Sequence, residues 1–118
     1  METSIVVIRL ENVLKVSVPE MTEIDLPIMK YLVRTAKQLI NGEELPIVVE
    51  ANMGSSVSFE ARQFSTRFRL QPSPKSIIFI TPSLSAKIEA SLFARTCIQN
   101  FNFKVVNNLS DLDMIYLD

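Results

Sequence analysis

The run from Ser76 to Thr81 places Ile77, Ile78, Phe79 and Ile80 side by side with no polar residue between them. A continuous apolar run of this length, rather than an alternating one, marks a central strand of a sheet. Leu45 to Ala51 has the same character, as expected of a strand covered on both faces by helices. Strands of this kind belong to parallel sheets, so helical crossovers should lie between them.

Those crossovers are legible. Asp25 stands where its carboxylate can take up the first free amides of a helix, with Pro27 in the first turn. Met29, Leu32, Val33, Ala36, Leu39 and Ile40 then recur at three- and four-residue intervals, and Asn41-Gly42 supplies a left-handed residue to close the helix. Ser56 or Ser58 caps a second helix that runs to about Phe68, with Phe59, Phe64 and Phe68 placed to face the sheet. Pro82 and Ser83 open a third, ending near Asn100, with Ile88, Leu92, Phe93 and Ile98 as its main core contacts. Ahead of all this, Ile5 to Leu10 and Val13 to Val18 are β-branched runs separated by Glu11 and Asn12, the spacing of a two-residue hairpin. Phe103 to Val106 adds a last strand, and Ser110 caps a short terminal helix. The order β-β-α-β-α-β-α-β-α predicts one α/β domain over residues 1–118. Its mixed, mostly parallel sheet has about five strands, and about four helices pack on its faces.

Composition narrows the chemistry. At 118 residues with 47% hydrophobic content, the chain suits one core, burying roughly 65% of its unfolded surface. There is no histidine, which removes imidazole bases, histidine-dependent triads and the usual zinc ligands. The single cysteine, Cys97, has no internal disulfide partner and reads as a small apolar helix residue. A net charge of -1 gives no field to recruit nucleic acid or an anionic membrane. The charge is uneven all the same: residues 1–60 hold five basic and nine acidic groups, and residues 61–118 hold seven and four. The opening Met-Glu-Thr-Ser lacks the character of a signal peptide, and no apolar run approaches the roughly 20 residues that span a bilayer, so the expected location is cytoplasmic. No cofactor, metal or catalytic constellation is expected, and the chain reads as a non-enzyme.

The residues Ile8-Arg9-Leu10-Glu11-Asn12, Val18-Pro19-Glu20, Ile24-Asp25-Leu26, Pro46 to Ala51 and Val57 to Arg62 together resemble the STAS fold of SpoIIAA-type anti-sigma-factor antagonists. They are most similar to uncharacterised SpoIIAA-like proteins of Bacteroidetes. The resemblance implies a protein-interaction or regulatory domain in a sigma-factor or two-component circuit, with a kinase or anti-sigma factor as partner. It departs from that family at the phosphoacceptor. Ser58 falls where the antagonists carry an aspartate, and Phe59 and Glu60 fall over their serine, so the switch does not carry over residue by residue.

The stretch Pro46 to Arg62 is nonetheless the expected functional edge, since open α/β sheets place their sites at the carboxyl ends of their strands. Ser55, Ser56 and Ser58 are candidate phosphoacceptors. A phosphoryl group of about -2 charge there would meet free amides and the helix dipole, with Arg62 one turn beyond. The plainer reading has one serine capping the helix and the others filling a turn. Glu60, Arg62, Arg67 and Arg69 form a candidate surface for a protein partner, and the edge hairpin offers backbone for a homodimer. Glu50, at the end of its strand, lacks the companions of a receiver-type phosphoacceptor and reads as a hydrogen-bonded carboxylate. The rival reading is a small-ligand or lipid-binding domain with a pocket between helices and sheet, lined from the chain's five Met and seven Phe.

Overall fold

Two strands, β1 (Val6–Leu10) and β2 (Val13–Val18), open the fold as an antiparallel hairpin turned by Glu11 and Asn12. The computed structural model describes residues 3–70, 73–97 and 102–107. Then follow β3 (Glu23–Ile24), α1 (Leu26–Ile40), β4 (Ile47–Ala51), β5 (Ser56–Val57), α2 (Phe59–Arg67), β6 (Ser76–Ile80), α3 (Leu84–Thr96) and β7 (Asn102–Val106). The main sheet has the order β1-β2-β4-β6-β7 and is parallel from β2 onward, so the predicted mixed, mostly parallel five-stranded sheet is observed. Three helices accompany it among the described residues. The expected fourth, from Ser110, lies outside them.

Helix α1 forms where its signals place it. Asp25 Oδ1 accepts from the Ile28 amide at 3.0 Å, Pro27 occupies the first turn, and Leu32, Ala36 and Ile40 bury the inner face. Asn41 ends the helix at φ 49°, the left-handed conformation that asparagine tolerates. Arg9 of β1 completes that end: Nη1 donates to the carbonyls of Leu39 (3.0 Å) and Ile40 (3.3 Å), while Nη2 pairs with Glu43. A guanidinium on the last carbonyls satisfies acceptors the helix leaves open and complements its dipole.

Strand register divides the sheet into two faces. Leu14, Ile47, Ile77 and Phe103 form one row, and Val16, Val49, Phe79 and Val105 the next. Residues of all three helices close over these rows, with Leu32, Val33 and Ala36 from α1, Arg62 and Ser65 from α2, and Ala90 and Phe93 from α3. The reverse face carries Ile8, Lys15, Val48, Ile78 and Lys104 in one row and Val6, Ser17, Glu50, Ile80 and Val106 in another. Among the described residues, all three helices, α1, α2 and α3, lie on one side of β4. The cause is topological. Successive parallel strands step in one direction, and crossovers of one hand then fall on one face. Val48, Ile78 and Ile80 are nevertheless buried and form a second, smaller apolar cluster with Val13 and Val106.

Three side-chain placements also differ from the sequence reading. Phe59 is 64% exposed, because Ala61 at 0% turns the inner face of α2 away from it. Ile88 and Leu92 lie outside as well, while Ala86, Ala90 and Phe93 of α3 look inward. Finally, α3 ends at Thr96 rather than near Asn100, with Cys97 in extended backbone as its cap. Ile98 lies outside the described residues.

The two faces of the hairpin make a simple check. Leu14 is fully buried and Ile8 is 42% exposed. Leu14→Ala should cost about 2–5 kcal/mol in urea unfolding, whereas Ile8→Ala should change stability by less than about 1 kcal/mol.

Candidate functional site

Between the sheet's inner face and the three helices lies a cavity of about 240 Å³. Its walls are apolar. Val16, Val49 and Phe79 form the sheet side, and Leu32 and Val33 of α1 and Phe93 of α3 stand opposite. Phe79, Phe93 and Phe103 make a cluster at one end, with ring centroids 5.2–6.2 Å apart. The space exists because of residue size. Ala36, Ala86, Ala90 and Ser65 are among the helix residues that look onto it, and short side chains at these positions leave the gap between helix and sheet unfilled.

Polar groups collect at the carboxyl ends of β4 and β6. Ser55, Ser56, Arg62, Thr81 and Glu89 line the cavity there. Arg62 Nη2 donates to Glu89 Oε1 at 3.0 Å, linking α2 to α3 across the gap, with the two side chains 37% and 31% exposed. An ion pair wetted to that degree contributes only about 0–1 kcal/mol. Its significance is positional, since the pair both lines the cavity and reaches solvent, which marks the opening.

The rim is held by a small structure that the sequence does not advertise. β3 and β5 pair in parallel, Glu23 with Ser56 and Ile24 with Val57. The Met21 amide donates to Met53 O, Ser56 N to Thr22 O and Ser58 N to Ile24 O. Asn52 donates to Val18 O from both its amide (3.1 Å) and Nδ2 (2.9 Å). Two-residue strands show no periodicity, so nothing in the pattern could have exposed them. Gly54, at φ 76°, completes the turn in a conformation open to glycine, and a Cβ there would run into the Met21 side chain.

The sequence-derived candidates take distinct places on this frame. Ser58 is the cap of α2, its Oγ accepting from the Ala61 amide at 3.2 Å. Ser55 fills the turn, donating from Oγ to Asn52 O at 2.8 Å, and also lines the cavity with Ser56. Of the four residues expected to form a partner surface, Arg62 is drawn to the cavity mouth, while Glu60, Arg67 and Arg69 are exposed. Glu60 and Arg67 line a shallow surface groove between α1 and α2, where Lys30 sits 5.8 Å from the Phe64 ring centroid. Glu50 lies on the reverse face, 3.9 Å from Lys15. Cys97 lines the far end of the cavity and donates from Sγ to Ala94 O. Glu89 and the inward alanines of α3, Ala86 and Ala90, escaped the sequence reading. The only signal for them is the four-, three- and four-residue spacing of Ala86, Ala90, Phe93 and Cys97, which marks one face of a helix.

Among the described residues no cluster of three or more Cys, Asp or Glu is arranged to hold a metal ion. Nor is any helix among them long and apolar enough to cross a membrane. Fold and cavity together define an α/β domain with an apolar chamber opening at the carboxyl ends of its parallel strands. Residues 6–111 match the family described as Domain of unknown function (DUF7793), and the chain belongs to that family. No curated protein and no solved structure matches it. The resemblance to STAS proteins is corrected accordingly: the matching family is a different one, and no relative or structural neighbour supports the STAS assignment. The expected kinase or anti-sigma partner stood on that resemblance alone.

The cap of α2 sets the position of Arg62, one turn along. Ser58→Ala should destabilise the chain by about 1 kcal/mol in urea unfolding, while Ser56→Ala, which removes no cap, should change it by less than half of that.

Proposed function

We propose that this chain is a non-catalytic binding module that takes a small apolar ligand into the cavity between sheet and helices. The cavity itself carries the reading. Apolar side chains that line unfilled space forgo packing contacts, and a guest that fills the space restores them. Apolar chambers of roughly 150 Å³ stay dry and accept small apolar guests, and this one is larger. Its position at the carboxyl ends of parallel strands is where open α/β sheets bind ligands.

The test uses 1-octanol as the probe. Isothermal titration calorimetry should show saturable, stoichiometric binding to the full chain. Ala90→Phe should abolish that binding while leaving the urea midpoint equal or higher, because the ring enters existing space. Absence of binding by 1-octanol and by charged eight-carbon analogues to the unaltered protein would remove this reading.

One observation favours a protein-interaction role alongside it. Leu84, Ile88 and Leu92 stand at four-residue intervals on the outer face of α3, with Leu84 72% exposed, and form an apolar stripe with no described neighbour over it. A second copy of the chain suits such a stripe, since a row symmetric about Ile88 is complementary to itself. Sedimentation equilibrium should then show a concentration-dependent dimer that Ile88→Glu converts to monomer. A monomer at all concentrations tells against it.

A further inference from the structure

The polar residues at the cavity mouth are not symmetric in charge or in hydrogen-bonding capacity. Arg62 is the one cation lining the cavity among the described residues. Its guanidinium has five N–H donors, of which a single bond to Glu89 is made. Arg62 both lines the apolar chamber and is partly open to solvent. The Ser56 hydroxyl, on the same rim, makes no bond to the described protein. The amino termini of α2 and α3, marked by the caps Ser58 and Ser83, open at this same end and add positive potential.

From this arrangement we infer that the ligand is an amphiphile with an anionic head, a medium-chain carboxylate, whose head group takes Arg62 from Glu89 while its chain fills the cavity. The inference rests on the cavity being a binding site. Glu89 then acts as the resident stand-in for the ligand's carboxylate, occupying the guanidinium until the ligand arrives. A pair as wetted as this one exchanges readily, so an incoming carboxylate can compete. The planar fork of arginine matches a carboxylate with two parallel bonds, which neither an alcohol nor an ammonium group can reproduce. Chain length follows from volume. At about 30 Å³ for each water-sized group, 240 Å³ holds about eight such groups, a chain of eight carbons rather than sixteen.

The decisive measurement compares octanoate, 1-octanol and octylammonium by calorimetry on the full chain and on Arg62→Gln, Arg62→Lys and Glu89→Gln. Octanoate should bind at least tenfold more tightly than 1-octanol, and octylammonium more weakly than either. Arg62→Gln should lower octanoate affinity at least tenfold but 1-octanol affinity less than threefold. Arg62→Lys should recover only part of the loss, and Glu89→Gln should strengthen octanoate binding by removing its competitor. Across saturated carboxylates, affinity should rise roughly fourfold per methylene up to about eight to ten carbons and then level off. A rise that continues to hexadecanoate would overturn the assignment in favour of a long lipid tail. Equal affinities for octanoate and 1-octanol, or an octanoate affinity indifferent to Arg62→Gln, would overturn the head-group inference and leave the apolar cavity intact. If none of the three probes binds, both readings fall together.

Discussion

The direction in which the parallel strands are laid down governs everything else in this fold. From β2 through β4 and β6 to β7 the chain always steps the same way across the sheet, and crossovers of constant hand must then deliver α1, α2 and α3 to one face. Three helices on one face must pack against one another as well as against strands. Their spacing over the sheet is therefore set by the side chains that look inward, and alanines at positions 36, 86 and 90 let the layer stand over a gap rather than a filled core. The cavity follows from topology and residue size jointly, and neither alone produces it.

The same topology assigns the cavity its entrance. Parallel strands bring the turns after β2, β4 and β6 to a single end, where β3 and β5 tie two of those turns together. That tie is made by backbone bonds: Met21 to Met53, Ser56 to Thr22, Ser58 to Ile24. Ser58 is thereby held where its hydroxyl can cap α2, and α2 in turn carries Arg62 to the mouth beside Glu89 of α3. A short chain of local causes thus runs from an inconspicuous two-residue ladder to the one charged contact on the cavity wall.

How much of this was legible depends on whether a feature has a local signature. The β1–β2 hairpin, the Asp25 cap, the Asn41 stop and the two central strands all announce themselves in contiguous residues, and all are found. The stretch from Pro46 to Arg62 supplies part of the cavity lining, and Ser58 within it caps α2. What failed depends on rotation or on segment length. Large apolar residues in α3 were assigned to the core by size, but Ile88 and Leu92 lie half a turn round the helix from Ala90 and Phe93. The β3–β5 pair is too short to leave a pattern, and the resemblance to STAS proteins rested on turns and core positions that different α/β families share.

Helix α3 shows why the cavity and the outer stripe should be considered as one feature. Ala86, Ala90, Phe93 and Cys97 occupy one side of it, and Leu84, Ile88 and Leu92 the opposite side. A helix over a closed core would present its bulkier aliphatic side chains inward, since each buried Leu or Ile contributes about 1.5–3 kcal/mol. Here the smaller residues face the sheet and two leucines and an isoleucine face out, forgoing that contribution on both sides at once. Turning α3 half a revolution would cover the stripe, but it would also carry Glu89 away from Arg62. The setting is reasonable if the inner space is reserved for a guest, because a guest restores the burial that the alanines give up.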